Sequence, residues 1–213
     1  MPEYKKLEQE IKKCCGCQLR GTCTQVVPGE GNPQADIMFI GEAPGETEDR
    51  LGRPFVGAAG KFLEEMLGTI GLKREDVFIA NILKCRPPSN RDPMPEEVEA
   101  CWPWLLQQIK TINPKLIVTL GRHAMERFLP NQKISQIHGK VLRREFPEIG
   151  RLVFYALYHP AAALYQGGLR QTLVADFQKI PKVLQAIEKE KAAPSRNDEI
   201  EVQAWEKKQE ALF

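Results

Sequence analysis

Four stretches of the chain are almost continuously apolar and short: "ADIMFIG" (35–41), "DVFIANIL" (76–83), "KLIVTLG" (115–121) and "RLVFYALYH" (151–159). Unbroken apolar character over so few residues, rich in Ile, Val, Phe and Leu, predicts strands covered on both faces. The segments between them change to a helical period. "AGKFLEEMLGTIGL" (59–72) sets Phe62, Leu63, Met66, Leu67 and Ile70 on one face and stops at Gly71. "PEEVEACWPWLLQQIKTI" (95–112) carries its acids in the first turn, where the helix dipole favours them. "RHAMERFL" (122–129) predicts a shorter helix, and "LRQTLVADFQKIPKVLQAIEKEK" (169–191) a long one kinked at Pro181. Tyr4, Leu7 and Ile11 mark a further helix over residues 3–13, and "VVPGEGNPQAD" reads as an extended, turn-rich connection.

Alternating strands and helices imply an α/β fold with a mostly parallel sheet and helices on both faces. No internal repeat interrupts it. Residues 1–188 read as one domain, and 189–213 as a polar tail of mixed charge without packed periodicity. Ligands of such sheets bind beyond the carboxyl ends of the strands. Those ends carry Gly41-Glu42, then Asn81 and Cys85, then Gly121-Arg122, then His159-Pro160.

Composition adds bounds. The 213 residues suffice for a full core, and no apolar stretch approaches the ~18 residues of a membrane span, so no membrane partner is expected. The polar N-terminus is unlike a signal peptide and points to the cytoplasm. A net charge of +2 implies no polyanion partner by itself. Basic clusters at "KCRPPSNR" (84–91), "GKVLRRE" (139–145) and "GGLRQ" (167–171) sit in turn-rich regions, and Arg86 and Arg170 in them are candidate phosphate contacts.

Six cysteines without an export signal argue against a disulfide framework. Cys14, Cys15, Cys17 and Cys23 crowd the N-terminus, whereas Cys85 and Cys101 lie far downstream, a distribution that suggests a metal clip joining distant segments. Cys14-x-x-Cys17 is a two-ligand bite. The wide spacing of Cys85 and Cys101 favours an iron–sulfur cluster over zinc, which would want a second close pair. Either Cys15 or Cys23 could replace Cys14 in this set.

The turn "GEAPGETED" (41–49) follows directly on the first strand. It is shaped for close approach to a ligand, yet Glu42, Glu46, Glu48 and Asp49 give it the wrong sign for phosphate. With "GEAPGETEDRLGRPFVGAAG", "ANILKCRPPSNRDPMPEEVEAC" and "YHPAAAL" in this order, the chain from Cys14 to about Val183 resembles the family 4 uracil-DNA glycosylases of prokaryotes. The resemblance implies a three-layer α/β/α sandwich on a four-stranded parallel sheet. It also implies a structural [4Fe–4S] cluster on Cys14, Cys17, Cys85 and Cys101, and a monomer that meets its DNA at the nucleoid. The implied reaction hydrolyses the bond between uracil and deoxyribose, releasing free uracil from DNA and leaving an abasic site.

Such an enzyme must flip the nucleotide out of the stack. Phe55 offers a flat face for the base, and Asn81 a donor and an acceptor matching uracil O4 and N3–H. His159 can donate to O2 as the departing base becomes anionic, and Leu164 is the candidate wedge. As the bond breaks the sugar becomes cationic, so the carboxylate of Glu42, with Gly41 and Ala43 beside it lining the substrate, suits the transition state. Glu48 corresponds to a residue near the C5 edge of the base. His123 and His138 receive no role. Two alternatives remain: a sister family with broader base specificity, and a non-enzymatic DNA-binding module with a four-cysteine clip. The subfamily that forms covalent DNA adducts is discounted, because "KCRPPSNRDP" has no histidine. The ending "KKQEALF" loosely resembles sliding-clamp-binding peptides, though packing of Trp205, Leu212 and Phe213 on the body is the better reading.

Overall fold

The computed structural model describes residues 2–192. Its elements run α1 (Pro2–Lys12), β1 (Glu30–Gly31), β2 (Ile37–Gly41), α2 (Glu46–Leu51), α3 (Ala58–Thr69), β3 (Phe78–Asn81) and α4 (Pro95–Ile112). They continue with β4 (Leu116–Leu120), α5 (Arg122–Phe128), α6 (Ile134–Ile137), β5 (Val141–Phe146), β6 (Gly150–Leu157), α7 (Pro160–Tyr165), α8 (Gly167–Phe177) and α9 (Ile180–Ala192).

The sheet has six strands in the order β1-β3-β2-β4-β6-β5. The four expected strands form its parallel centre, β3-β2-β4-β6. Two antiparallel strands were not expected. β1 lies inside the supposed connection, and β5 inside the supposedly turn-rich "GKVLRRE". Successive residues of the central strands point to opposite faces. Met38, Ile40, Phe78 and Ala80 pack with α1, α4 and α5, whereas Ile37, Phe39, Ile79 and Val118 pack with α3, α8 and α9. Helical layers on both faces of the sheet account for the unbroken apolar runs.

Other expectations need correction. The long helix at 169–191 is two helices, α8 and α9, and the break at Gln178–Lys179 precedes Pro181. Pro181 sits in the first turn of α9, where an absent N–H leaves no helical bond unmade. The acidic turn is in part the helix α2, which places Glu46, Glu48 and Asp49 at the positive end of its dipole. α9 continues past the expected start of the tail to Ala192, and the clamp-like ending lies outside the described residues. Among the described residues, no helix is long and apolar enough to cross a membrane.

The chain leaves β2 to form β3 on one side and later places β4 on the other. The carboxyl ends of β2 and β4 therefore flank the switch in strand order, where open α/β sheets bind their ligands.

Candidate functional site

Gly41 closes β2 and pairs in register with Asn81, the last residue of β3. A Cβ on Gly41 would stand 2.5 Å from Asn81 Oδ1 and 2.5 Å from Phe55 Cζ. Glycine is thus what lets the amide and the ring meet over the end of the strand. Phe55 is buried with a left-handed φ of 51°, a conformation that needs outside support. Arg74 supplies it, donating to Phe55 O at 2.8 Å and Pro54 O at 2.7 Å. Glu48 clasps the next residues, its Oε1 accepting from Val56 N at 2.9 Å and Gly57 N at 2.7 Å.

That duty changes the reading of the acidic turn. Glu48 holds the Phe55 loop through one oxygen. Buried Asp49 accepts from Thr24 N at 2.9 Å and Gln25 N at 3.3 Å. Exposed Glu46 faces Arg86 at 3.7 Å. Glu42 holds no backbone amide with its carboxylate, so the architectural part of the turn's charge is Glu48 and Asp49.

Asn81 is buried, and its Oδ1 accepts no hydrogen bond from the described residues. Its carbonyl accepts from the ammonium of Lys84 at 2.7 Å. Lys84 is itself buried and donates also to Gln108 Oε1 at 2.6 Å; desolvation lowers its pKa to about 8. Gln108 in turn reaches Tyr4 Oη at 3.3 Å and Pro28 O at 2.7 Å.

His159 caps α7, its Nδ1 accepting from Ala161 N at 3.1 Å. An acceptor at Nδ1 puts the ring proton on Nε2, leaving that nitrogen as a donor. Burial pushes the pKa down to about 4, only partly opposed by the Glu48 carboxylate, so the ring is neutral at pH 7. Its centroid lies 5.7 Å from that of Phe55, and Gly121 admits it closely, since a Cβ there would stand 2.9 Å from His159 Cβ.

Glu42 is half-buried, and burial raises its pKa. The charges of His123 and Arg122 act downward on it and that of Asp92 upward. His123 Nε2 stands 3.9 Å from Glu42 Oε2 and 3.4 Å from Asp92 Oδ2. His123 and Asp92 went unassigned in the sequence, because the pairing of β2 with β4 brings His123 to Glu42, and that of β2 with β3 sets the loop before α4, which carries Asp92, beside them. The position of His123 just past the third apolar run was the available signal.

The remaining candidates are less concentrated. Ala43 is partly buried and packs on the core beside the strand end. Leu164, on α7, is 37% exposed, and Tyr165 after it is 88% exposed. Both phosphate candidates already have partners. Arg86 donates to Asn90 Oδ1 at 2.7 Å, and Arg170 pairs with Glu65 at 3.2 Å and lies 4.0 Å over the Phe62 ring. Each would exchange an internal partner for phosphate.

Cys14, Cys17, Cys85 and Cys101 line one pocket whose walls include Leu19, Val26 and Leu83. All six thiols are free. Three N–H groups point at the sulfurs of Cys14 and Cys101: Trp104 Nε1 to Cys14 at 3.0 Å, Lys84 N to Cys101 at 3.3 Å, and Gly16 N to Cys14 at 3.4 Å. Tetrahedral zinc at about 2.3 Å from each sulfur needs thiolates about 3.8 Å apart. Among the described residues no three thiols lie mutually within 4.8 Å, so the donor set fits a larger thiolate-bound group better than one zinc ion. Of the two spare cysteines, Cys15 is exposed. Cys23 is close enough to Cys85 that its thiol, after burial, raises the Cys85 pKa.

The family model described as the uracil DNA glycosylase superfamily matches residues 28–185. The chain is 51% identical over 187 residues to the Type-4 uracil-DNA glycosylase of Archaeoglobus fulgidus, covering 84% of this chain and 92% of that protein. It is 48% identical over 186 residues to the Type-4 uracil-DNA glycosylase of Sulfurisphaera tokodaii, covering 84% of each. Similarity to the Type-5 uracil-DNA glycosylase of Thermus thermophilus is lower, 36% over 118 residues, covering 48% of this chain and 53% of that one.

Proposed function

The chain belongs to the uracil-DNA glycosylase superfamily, in its type-4 branch, and from that premise we propose how its residues divide the work of excision. The protein is a uracil-DNA glycosylase: it hydrolyses the N-glycosidic bond of uracil in DNA, releasing the base. Phe55 stacks on the extruded uracil, and the Asn81 amide reads its O4 and N3–H. Neutral His159 donates from Nε2 to O2 as the base leaves with negative charge. Glu42 faces the cationic sugar and orients the attacking water. Both gain strength as charge separates, which is the condition for lowering a barrier.

The observation that carries this division is the clearance over Gly41, where an unpaired buried amide oxygen and an aromatic ring edge converge. Leu164, exposed on the helix that His159 caps, suits the role of wedge. Gly41 and Ala43 give the nucleotide its close approach. Arg86 and Arg170 contact phosphate. Glu48 acts mainly by holding the Phe55 loop, with its second oxygen toward the base edge.

Cys14, Cys17, Cys85 and Cys101 would hold a [4Fe–4S] cluster, which when bound would tie the N-terminal segment to the β3–α4 connection and to α4 itself. The donor set and its N–H groups support that assignment.

Single-turnover cleavage and binding of the same uracil oligonucleotide test the division. Glu42→Gln should slow the chemical step with little change in affinity. His159→Ala should cost roughly 10²–10³-fold, as for one transition-state donor. If Glu42→Gln weakened binding and slowed cleavage only in proportion, Glu42 would be a positioning residue instead.

A further inference from the structure

Glu42 meets its charged neighbours because β2 and β4 are adjacent parallel strands. The loop after β2 carries Glu42, and α5, following β4, opens with Arg122 and His123. The loop before α4 adds Asp92. One ring nitrogen, His123 Nε2, stands at the centre. It faces Asp92 Oδ2 at 3.4 Å and Glu42 Oε2 at 3.9 Å, and it lies 3.1 Å from Arg122 Nε, which donates to it. Arg122 also donates to Asp92 Oδ2 at 2.9 Å.

Building on the reading of Glu42 as the carboxylate facing the reacting sugar, we propose that His123, clamped by Asp92 and Arg122, is a positioning residue that keeps Glu42 oriented and ionised. A single nitrogen cannot accept from Arg122 and donate to a carboxylate at once. The ring therefore has two states. Neutral, it takes the Arg122 N–H; protonated, it turns that lone pair into a donor between two carboxylates. The second state sets a cation against Glu42, which burial otherwise drives toward the uncharged form. Asp92 acts in both directions, since it anchors the ring but repels charge on Glu42. Arg122 and His123 from α5 and Asp92 from the loop before α4 are the charged groups acting on this carboxylate.

The two neighbours therefore have opposite signs, and the test uses that. Single-turnover rates on a single-stranded uracil oligonucleotide are measured against pH for the wild type, His123→Gln, Asp92→Asn and Glu42→Gln. The acid limb reports ionisation of the carboxylate, and its position, not the plateau height, is the signature. His123→Gln should move the limb to higher pH, and Asp92→Asn should move it to lower pH. A merely structural role would lower rates without moving the limb. Limbs that stay put, or move in the same direction in both variants, overturn the proposal. If Glu42→Gln keeps the limb and the rate, the reading of Glu42 falls and takes the proposal with it. If Glu42→Gln abolishes the limb while His123→Gln leaves it in place, only the proposal falls.

Discussion

Replacing Asn81 with leucine should separate reading the base from holding the fold. The amide is buried, and its Oδ1 accepts nothing from the described residues, although its surroundings have excluded water. A buried polar atom left unpaired costs about 1–3 kcal/mol. Leucine has nearly the same shape and no such atom, so Asn81→Leu should be as stable as the wild type or more so. For a chain of this length each kcal/mol gained raises the melting temperature by about 2–4 °C. Uracil, however, loses its partners on the Watson–Crick edge. A loss of about 1–3 kcal/mol in the transition state is roughly a 5- to 150-fold lower rate. The assay pairs thermal melting with single-turnover cleavage of a single-stranded uracil oligonucleotide, which removes the cost of flipping from a duplex. A melting temperature lowered along with the rate would show that Asn81 supports the strand end, and an unchanged rate would remove it from the pocket.

Half-buried, neutral His159, with its pKa pushed from 6.5 to about 4 by desolvation, binds fewer protons than the unfolded chain between those values, so its contribution to stability is present above pH 6.5 and is lost as pH falls through 4. His159→Gln should shrink the stability difference between pH 7 and pH 4 by on the order of 3 kcal/mol in denaturant titrations, and an unchanged difference would contradict the burial argument. Cys85→Ser should lower yield, iron and sulfide together, whereas Cys23→Ser should leave near-equal iron and sulfide and a brown colour; stoichiometric zinc without sulfide would sink the cluster assignment. Leu164→Ala should slow cleavage in a paired duplex more than in a single strand, where extrusion is easier, and equal slowing on both would deny it the role of wedge.

The central sheet was legible because its strands are buried on both sides, which leaves an apolar run that no other element of that length explains. β5 escaped because it is an edge strand: "VLRREF" sends Arg143 and Glu145 outward and reads as a charged surface. α2 escaped because six residues carry no period, and acids in the first turn of a helix look like acids in a loop. The candidate site was legible in its placement where residues are neighbours in the chain, as with Cys14 and Cys17 or the residues ending each strand. It was illegible where partners are backbone amides or distant side chains. Nothing in the spelling of Glu48 announces that it accepts from Val56 and Gly57, and nothing joins Asp92 and His123 to Glu42 until the strands pair.

The chain of contacts running from Asn81 through Lys84 and Gln108 to Tyr4 has a consequence for biogenesis. Its last link spans 104 residues, and Gln108 is made well after β3. A nascent chain that has completed β3 owns the Asn81 amide but lacks Lys84, its acceptor Gln108 and the helix against which α1 docks. Domains fold as units once their parts have emerged, so the end of β3 is braced only after α4 has arrived. The position of Asn81 is thus fixed late, together with the tertiary structure that α4 and α1 complete. A chain cut short before α4 would carry Glu42 and Asn81 without the Gln108 bridge that braces the end of β3.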